Sequence, residues 1–600
     1  MNGNYILEVL NPRNTRKIED FQGLSAPRIT TLDGKRVALF REKPDSDLLL
    51  KPLQKLLQEK YPTSTFDCYQ IRQMMPESDI EILRDYDAFI FGVRNTGGTD
   101  SEPAVAYEKA GIPGVHICID SMSYGQSLRS AFVSGLPTIR MAVLSAEEWF
   151  AAANIPENFI SIAEGAIDKI IHAMTDPLTD DEKNPKFPEY DFSNLRFNGE
   201  NYSDAFDKFQ SYFLENEFSD GIAVAPPTPE AVKNMLTGTK RKPDEVLPGM
   251  MQPGRGIVTI EKIAVNAVMA GAKPEYMPII ITAVEMLCSN EFYTWHLFAS
   301  MNSTNLFIAI GGPIAKELGI NGDEGYIGPG NRANNSIGRA ISLCALNLGW
   351  VDFNIDGGMM GQPSRFCNIV FCENEEMSPW ESYSVSRGFS SGDSTVLIEE
   401  VFHIDGMFWK AIDNLPSGVW TYGLQADLDR LAEMAQGHKV SLDLVSKGIA
   451  DIHLFDTLQK DPLPMINGRT YALILYPGQA RRLAAAGFTR ETLARYIGDR
   501  YRIPWVEFDS ELQENILKLA EKGVIPGLSV NDCKNGGTIP VMNTSRLAIF
   551  VAGPMSGQTL GLTCMGSYSG YLRASGVKDP TKPPFYIKKV TGATLTKAGR

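Results

Sequence analysis

Cysteine, histidine and long apolar runs are all scarce in this chain. Eight cysteines are spread over 600 residues, at positions 68, 118, 288, 344, 367, 372, 533 and 564, and no two form a Cys-x-x-Cys pair. Thiols this sparse argue against a disulfide framework or a zinc ribbon and point to a reducing compartment, so a cytoplasmic location is expected. Six histidines, at 116, 172, 296, 403, 438 and 453, show no His-Glu-x-x-His or other close ligand spacing. No metal site is therefore expected. No segment approaches the roughly 18 consecutive apolar residues of a membrane span. The first residues lack the basic-then-apolar order of a secretory signal. Positive charge is also short: 57 Lys and Arg face 72 Asp and Glu, a net charge of −15. Such a chain is a poor general binder of nucleic acid or of an anionic membrane surface.

The composition present is that of a globular protein, 43% hydrophobic and 22% charged. At roughly 150 residues per unit the length predicts about four units. Residues 1–35 read as an irregular leader. Residues 36–175 read as an α/β domain and residues 176–250 as a linker-rich segment. Residues 251–415 form a central domain and residues 416–600 a carboxyl-terminal α/β domain. The expected class is α/β, with several βαβ-type units, mostly parallel sheets and a helical hairpin in the central region.

Periodicity supports this division. Lys35 to Phe40, Tyr86 to Val93 and Val115 to Ile119 are short apolar runs between helical stretches, which predicts parallel βαβ units. The segment from Asp45 to Tyr61 places leucines on one helical face. In such sheets the ligand crevice lies beyond the carboxyl ends of the strands, here Arg94–Ser101 and Asp120–Gly125. Thr259 caps a predicted helix that stops at Gly271, and Pro274 to Cys288 forms the second arm of the hairpin. Strands at Asn305, Tyr471 and Arg546 each stop at a Gly/Pro loop, which suggests a repeated βα unit.

Three segments hold residues suited to chemistry. The first is Gly328-Pro329-Gly330-Asn331-Arg332-Ala333-Asn334-Asn335, ahead of an amphipathic helix. Its glycines allow close backbone approach, Asn334 or Asn335 would cap the helix, and Arg332 and Arg339 add positive charge at the helix start. That set suits a carboxylate or phosphate, with Asn331 contributing hydrogen bonds. It is neither a Walker sequence nor a dinucleotide fingerprint. A capped helix with surface arginines explains the same residues equally well. The second segment runs from Cys372 through Glu373 and Glu376 to Trp380, with Arg387 downstream. Acids just past a strand end suit proton transfer, although a solvated acidic turn is the commoner outcome. The third is Cys533, in a Gly-rich loop beside Lys534 and Asp532. No Gly-x-Ser-x-Gly elbow supports a serine hydrolase.

The runs GKRVALFREKPDSDLLLKPLQKLL and FGVRNTGGTDSEPAVAYEKAGIPGVHIC resemble the UGSC family of selenocysteine- and cysteine-motif proteins. The stretches VTIEKIAVNAVMAGAKPEYMPIIITAVEML, INGDEGYIGPGNRANNSIGRA and FCENEEMSPWESYSVSRGF are similar to larger proteins that carry this domain. The resemblance implies a slot after the second predicted strand for selenocysteine or cysteine, Gly, a small residue and Cys. Here that slot reads Thr96-Gly97-Gly98-Thr99, and Ala272 stands where the family pattern has another cysteine. Threonine hydroxyls cannot run a dithiol cycle, but Thr96, Thr99 and the amides of Gly97 and Gly98 could still hold an anion.

The expectation is an enzyme that acts on a small anionic metabolite by non-redox elimination, addition or group transfer. The Gly328–Asn335 loop, the Glu373–Glu376 turn and the Thr259–Cys288 helical hairpin would build its pocket, and Glu373 or Glu376 would act as acid or base. Two alternatives stand beside it. One is an oxidoreductase that uses Cys367, Cys372, Cys533 or Cys564. The other is a non-catalytic binding or assembly subunit. A homo-oligomer is expected, and the sequence names no cofactor.

Overall fold

The structure is a computed structural model, and it describes residues 5–41, 46–70, 76–94, 101–300, 304–356, 366–406, 470–500, 502–507, 510–521, 529–534, 536–540, 547–555, 560–564 and 585–592. Its amino-terminal unit is built on a five-stranded parallel sheet. Across the sheet the order is Thr65–Gln70, Arg36–Arg41, Ala88–Arg94, Gly114–Asp120 and Met141–Ser145. This is a doubly wound order, and the winding reverses between Arg36–Arg41 and Ala88–Arg94.

Alternation along a strand explains why the central strands read as continuous apolar runs. Val37 and Leu39 enter one core, and Ala38 and Phe40 enter another on the opposite face. The helix Asp47–Lys60 buries Leu49, Leu50, Leu53 and Leu57 in the first of these. The two edge strands escape an apolar-run reading because half of each meets solvent, as in the exposed Thr65, Cys68 and Gln70.

Two expectations about the chain outside this sheet need correction. The leader is not irregular throughout: Tyr5–Val9 is a strand, paired antiparallel with Leu195–Gly199. Nor is the segment 176–250 mainly linker. The helices Tyr202–Glu215 and Pro229–Leu236 send Phe209, Phe213, Val232 and Met235 into the same core as Leu7 and Val9. The turn-rich composition reflects the exposed faces of short elements, while their apolar residues keep helical spacing.

The remainder is organised by a second sheet. Its order is Leu547–Val551, Thr470–Leu475, Leu560–Cys564, Thr395–Gly406, Asn305–Gly311 and Ile369–Cys372, and Tyr586–Lys589 also pairs with Thr395–Gly406. The expected boundary at 415/416 therefore does not separate two sheets. This sheet is also mixed rather than mostly parallel. Asn305–Gly311 runs parallel to Ile369–Cys372, and Thr470–Leu475 runs parallel to Leu547–Val551. The two strands between these pairs, Thr395–Gly406 and Leu560–Cys564, are antiparallel to each other and to the strands that flank them. The sheet is thus two similarly wired halves placed back to back.

One face of it is covered by the helices Ile260–Met269, Met277–Cys288 and Arg332–Leu348, whose buried residues share one core with Leu306, Ile308 and Ile310. Thr259 accepts a hydrogen bond from the Lys262 amide at 3.3 Å and so starts this layer. Among the described residues, no helix is long and apolar enough to cross a membrane.

Candidate functional site

The Gly328–Asn335 turn and the Glu373–Glu376 turn are brought near each other by backbone links. Asn334 links the first turn to the strand that leads into the second: its amide group donates to the carbonyls of Asn321, Tyr326 and Val370 at 2.9 to 3.1 Å, and its Oδ1 accepts from the Asn321 amide. Asn334 is therefore buried framework. The helix cap is Asn331, whose Oδ1 accepts from the Asn334 amide at 2.9 Å, rather than Asn334 or Asn335. Asn335 donates weakly to Gly328, and Gly330 is exposed in a left-handed conformation at φ 105°.

The charged groups of these turns point to partners of their own. The exposed Arg332 donates to the Gly271 carbonyl through two nitrogens. Arg339 forms a two-pronged pair with Asp220 at 2.8 Å and also reaches the carbonyls of Ile222 and Ala223. Both arginines are thus engaged away from the expected anion pocket, Arg339 by acceptors of the loop after Phe218 and Arg332 by the Gly271 carbonyl just past the helix Ile260–Met269.

Glu373 is buried and fully engaged. Its Oε1 faces Arg490 at 2.9 Å and accepts from the Val551 amide, and its Oε2 accepts from the Tyr383 amide at 2.5 Å. Arg490 in turn donates to the carbonyls of Ile549 and Glu381 and lies 5.7 Å from the Trp380 ring. The Trp380 indole N–H donates to Phe488. Arg387 is exposed and packs over Tyr383 at 4.8 Å. Glu376 is exposed and paired with Lys316, whose ammonium holds its carboxyl below the usual range. In the structure both acids are paired, Glu373 with Arg490 and Glu376 with Lys316.

The thiols fare no better as nucleophiles. Burial, with Asp532 adding to it, pushes the Cys533 thiol up, and burial is also the main reason that Cys367 and Cys564 are raised. Cys372 is pushed up to about 12 by burial and the neighbouring Glu375 and Glu373. A raised thiol is a weaker nucleophile at neutral pH. Thr96, Gly97, Gly98 and Thr99 lie outside the described residues. Among the described residues no group of three His, Cys, Asp or Glu side chains is arranged to hold a metal ion.

A cavity of about 430 Å³ lies instead where the amino-terminal domain meets the central one. The amino-terminal domain supplies Glu102, Ser130, Val133 and Ser134. Glu102 opens the helix Glu102–Lys109, and Ser130 lies on the helix Met122–Val133 and accepts from the Ser101 amide at 3.2 Å. That second helix is fixed to the central domain. Gln126 donates to the carbonyls of Ala299 and Ile355 at 3.0 and 2.7 Å, and Arg129 pairs with buried Asp356.

The opposite wall carries Gln252 and Arg255 on a tight hairpin, closed by reciprocal bonds between Met251 and Gly256. The hairpin is wedged against the end of the helix Arg332–Leu348: the Gly254 amide donates to Gly349 at 2.7 Å, and a Cβ at Gly256 would overlap the Leu348 carbonyl. Its tip holds Arg255 at φ 59°, a conformation that a non-glycine residue adopts at some cost and that clusters at binding sites. The leader straps this turn, since the Lys17 amide donates to the Arg255 carbonyl. Phe292, Tyr293 and Trp295 complete the wall. Trp295 is 5% exposed, yet its indole N–H has no partner among the described residues, and the buried side-chain oxygen of Gln252 has none either.

No expected site residue lines this cavity. The nearest hints in the sequence were the Tyr293–His296 segment and the position of Glu102 just past the threonine loop. His296 itself bonds to the buried Glu400 at 2.7 Å.

Comparison with known proteins adds one relationship. Residues 8–176 match the model of the UGSC family, which takes in the strapping leader together with the five-stranded sheet. The central stretches that also resemble larger family members lie outside the matched residues. No curated protein and no solved structure matches the chain. The similarity to the UGSC family is thus confined to residues 8–176.

Proposed function

We propose that the protein is an enzyme acting on a small polar molecule held in the junction cavity, by chemistry that needs no thiol. The observation that carries this reading is the cavity itself, at the lower end of the size range of small-molecule sites and walled by two domains. Arg255 would hold an anionic group of the substrate. Glu102 would exchange a proton with it, in an elimination, addition or group transfer. Glu102 lies three positions beyond Thr99 in the chain, next to the segment that the family resemblance marks as reactive. Threonine at positions 96 and 99 and the raised thiols elsewhere argue for non-redox chemistry. Sparse cysteine supports a cytoplasmic location, and a homo-oligomer remains part of the proposal.

The test is mass spectrometry of small molecules that co-purify with the intact chain. A compound retained by the natural protein and lost from Arg255→Ala and Glu102→Gln is expected. Identical small-molecule profiles in all three would refute the site. A non-catalytic binding subunit is the second reading, favoured by the two threonines in the family's reactive slot. Turnover of the retained compound by the purified chain alone would decide against it.

A further inference from the structure

The leader that straps the domain junction carries a cation without a counter-ion. The Arg16 guanidinium lies among three rings, 4.5 Å from the Trp350 centroid, 4.6 Å from that of Phe132 and 5.8 Å from that of Tyr190. These rings belong to one aromatic arc. Phe187 lies 5.8 Å from Phe132 and 6.4 Å from Tyr190, and Tyr190 lies 4.7 Å from Trp350. Trp350 is fixed by the bond from its indole N–H to the Asn14 carbonyl, whereas the Phe187 side of the arc is open, with that residue 38% exposed. Among the described residues no hydrogen bond or ion pair reaches the Arg16 side chain. Of its three nitrogens only Nε is buried. The side chain is part-exposed, so the two terminal nitrogens form an open edge.

The neighbouring arginines are better provided for. Arg129 is paired with Asp356. Arg13, 5.2 Å from the other side of the same Trp350 ring system, donates to the Glu217 carbonyl and has the carboxylates of Glu217 and Asp352 to favour its charge. No acid is among the groups that act most on Arg16. Burial pushes it down to about 10, Tyr190 opposes that shift, and Arg129 and Arg13 add to it. It therefore stays charged at neutral pH, and the surrounding rings stabilise the cation without giving its terminal N–H groups an acceptor. We infer that Arg16 anchors an oxyanion site, which takes the carboxylate or phosphate-ester group of a small molecule on its two terminal nitrogens, with the apolar part of the ligand against Phe187. The guanidinium fork matches the paired oxygens of either group. Neither Arg16 nor any ring of the arc lines the junction cavity, so this site is separate from the proposed one and does not depend on it.

The experiment is calorimetric titration of the intact protein with phenyl phosphate, phenylacetate and, as the uncharged match, benzyl alcohol. One of the two anions is expected to bind roughly tenfold or more tightly than benzyl alcohol. The tighter of the two names the group, phosphate ester or carboxylate. Arg16→Met keeps an unbranched apolar chain among the rings and removes the charge, and it should abolish the preference for an anion while circular dichroism shows the fold retained. Arg16→Lys keeps a charge and loses the fork, and it should weaken the preferred anion severalfold. Phe187→Ala should also weaken it severalfold. If neither anion is preferred over benzyl alcohol, or if Arg16→Met binds the anions as tightly as the natural protein, Arg16 is only a clamp between the domains and the site is refuted. If Arg16→Met does not fold, Arg16→Lys decides, and unchanged affinity in that variant overturns the proposal.

Discussion

Arg129, on the helix that closes the amino-terminal sheet, forms a buried ion pair with Asp356 of the central domain, with side chains 7% and 0% exposed. The two residues are 227 positions apart, and the junction cavity lies beside the helix they pin. Burial pushes the Asp356 carboxyl up, and Arg129 opposes that shift. Arg129→Ala should destabilise the protein by about 3–5 kcal/mol, because it leaves an unpaired buried acid. Arg129→Met combined with Asp356→Leu should recover most of the loss. In the single variant the folded-state carboxyl titrates above its unfolded value, so stability falls as pH rises through that window and the deficit shrinks toward acid. Urea unfolding of the three variants at two pH values checks all of this.

Glu373 and Arg490 supply a second test, because a tether and a catalyst respond differently. Glu373→Gln should lower the melting temperature by an amount equivalent to about 2–4 kcal/mol, with Arg490 left buried without its counter-charge. It should leave ligand binding in the junction cavity unchanged. A variant with natural stability and no activity would restore Glu373 as an acid or base. Glu376→Gln, on an exposed pair with Lys316, should change stability by less than about 1 kcal/mol.

Acid stability has an identifiable contributor. Arg140 bonds to both oxygens of Glu182 and to the carbonyls of Ala173, Asp176 and Pro177, and so fixes the chain as it leaves the matched domain. The hydrogen bond from Arg140, aided by the Thr179 amide, holds the Glu182 carboxyl at about 2. Its folded pKa is thus depressed below the unfolded value of roughly 4.3. The stabilisation is fully present above that value and is lost as pH falls toward 2. Glu182→Gln should flatten stability across this interval and leave its pH dependence above pH 5 unchanged, as read by denaturant midpoints.

The hairpin that presents Arg255 depends on a residue without a side chain. Gly256→Ala places a methyl group against the Leu348 carbonyl and the Trp350 ring. The turn must shift, at about 1–3 kcal/mol. Co-purifying ligand should be lost even where the fold survives, and Gly392→Ala, at an exposed turn with open space around it and no left-handed backbone, serves as a control for substitution at glycine.

Thiol chemistry can be examined directly. Brief alkylation of the native protein at pH 8 should modify exposed Cys68 ahead of buried Cys288, Cys344, Cys372, Cys533 and Cys564. Peptide mapping reads the order. Fast modification of Cys533 would revive the oxidoreductase alternative.

Local sequence pattern was enough for the α/β class, the central strands of the first sheet, the capped helix at Thr259 and the similarity of residues 8–176 to the UGSC family. Each of these is a local pattern: strands buried on both faces are continuously apolar, caps follow chain neighbours, and a family motif is contiguous. The edge strand Thr65–Gln70 and the helices between 176 and 250 were missed because partial burial dilutes such patterns. Tertiary structure alone decided what the polar residues do. Arg332, Arg339 and Glu373 looked available because their partners, Gly271, Asp220 and Arg490, are 61, 119 and 117 positions away in the chain. The cavity likewise draws Glu102, Arg255 and Trp295 from separate segments that no motif connects. Whether a charge is free or already paired is a property of distance in space, and the order of residues along the chain does not encode it until the sheets have packed.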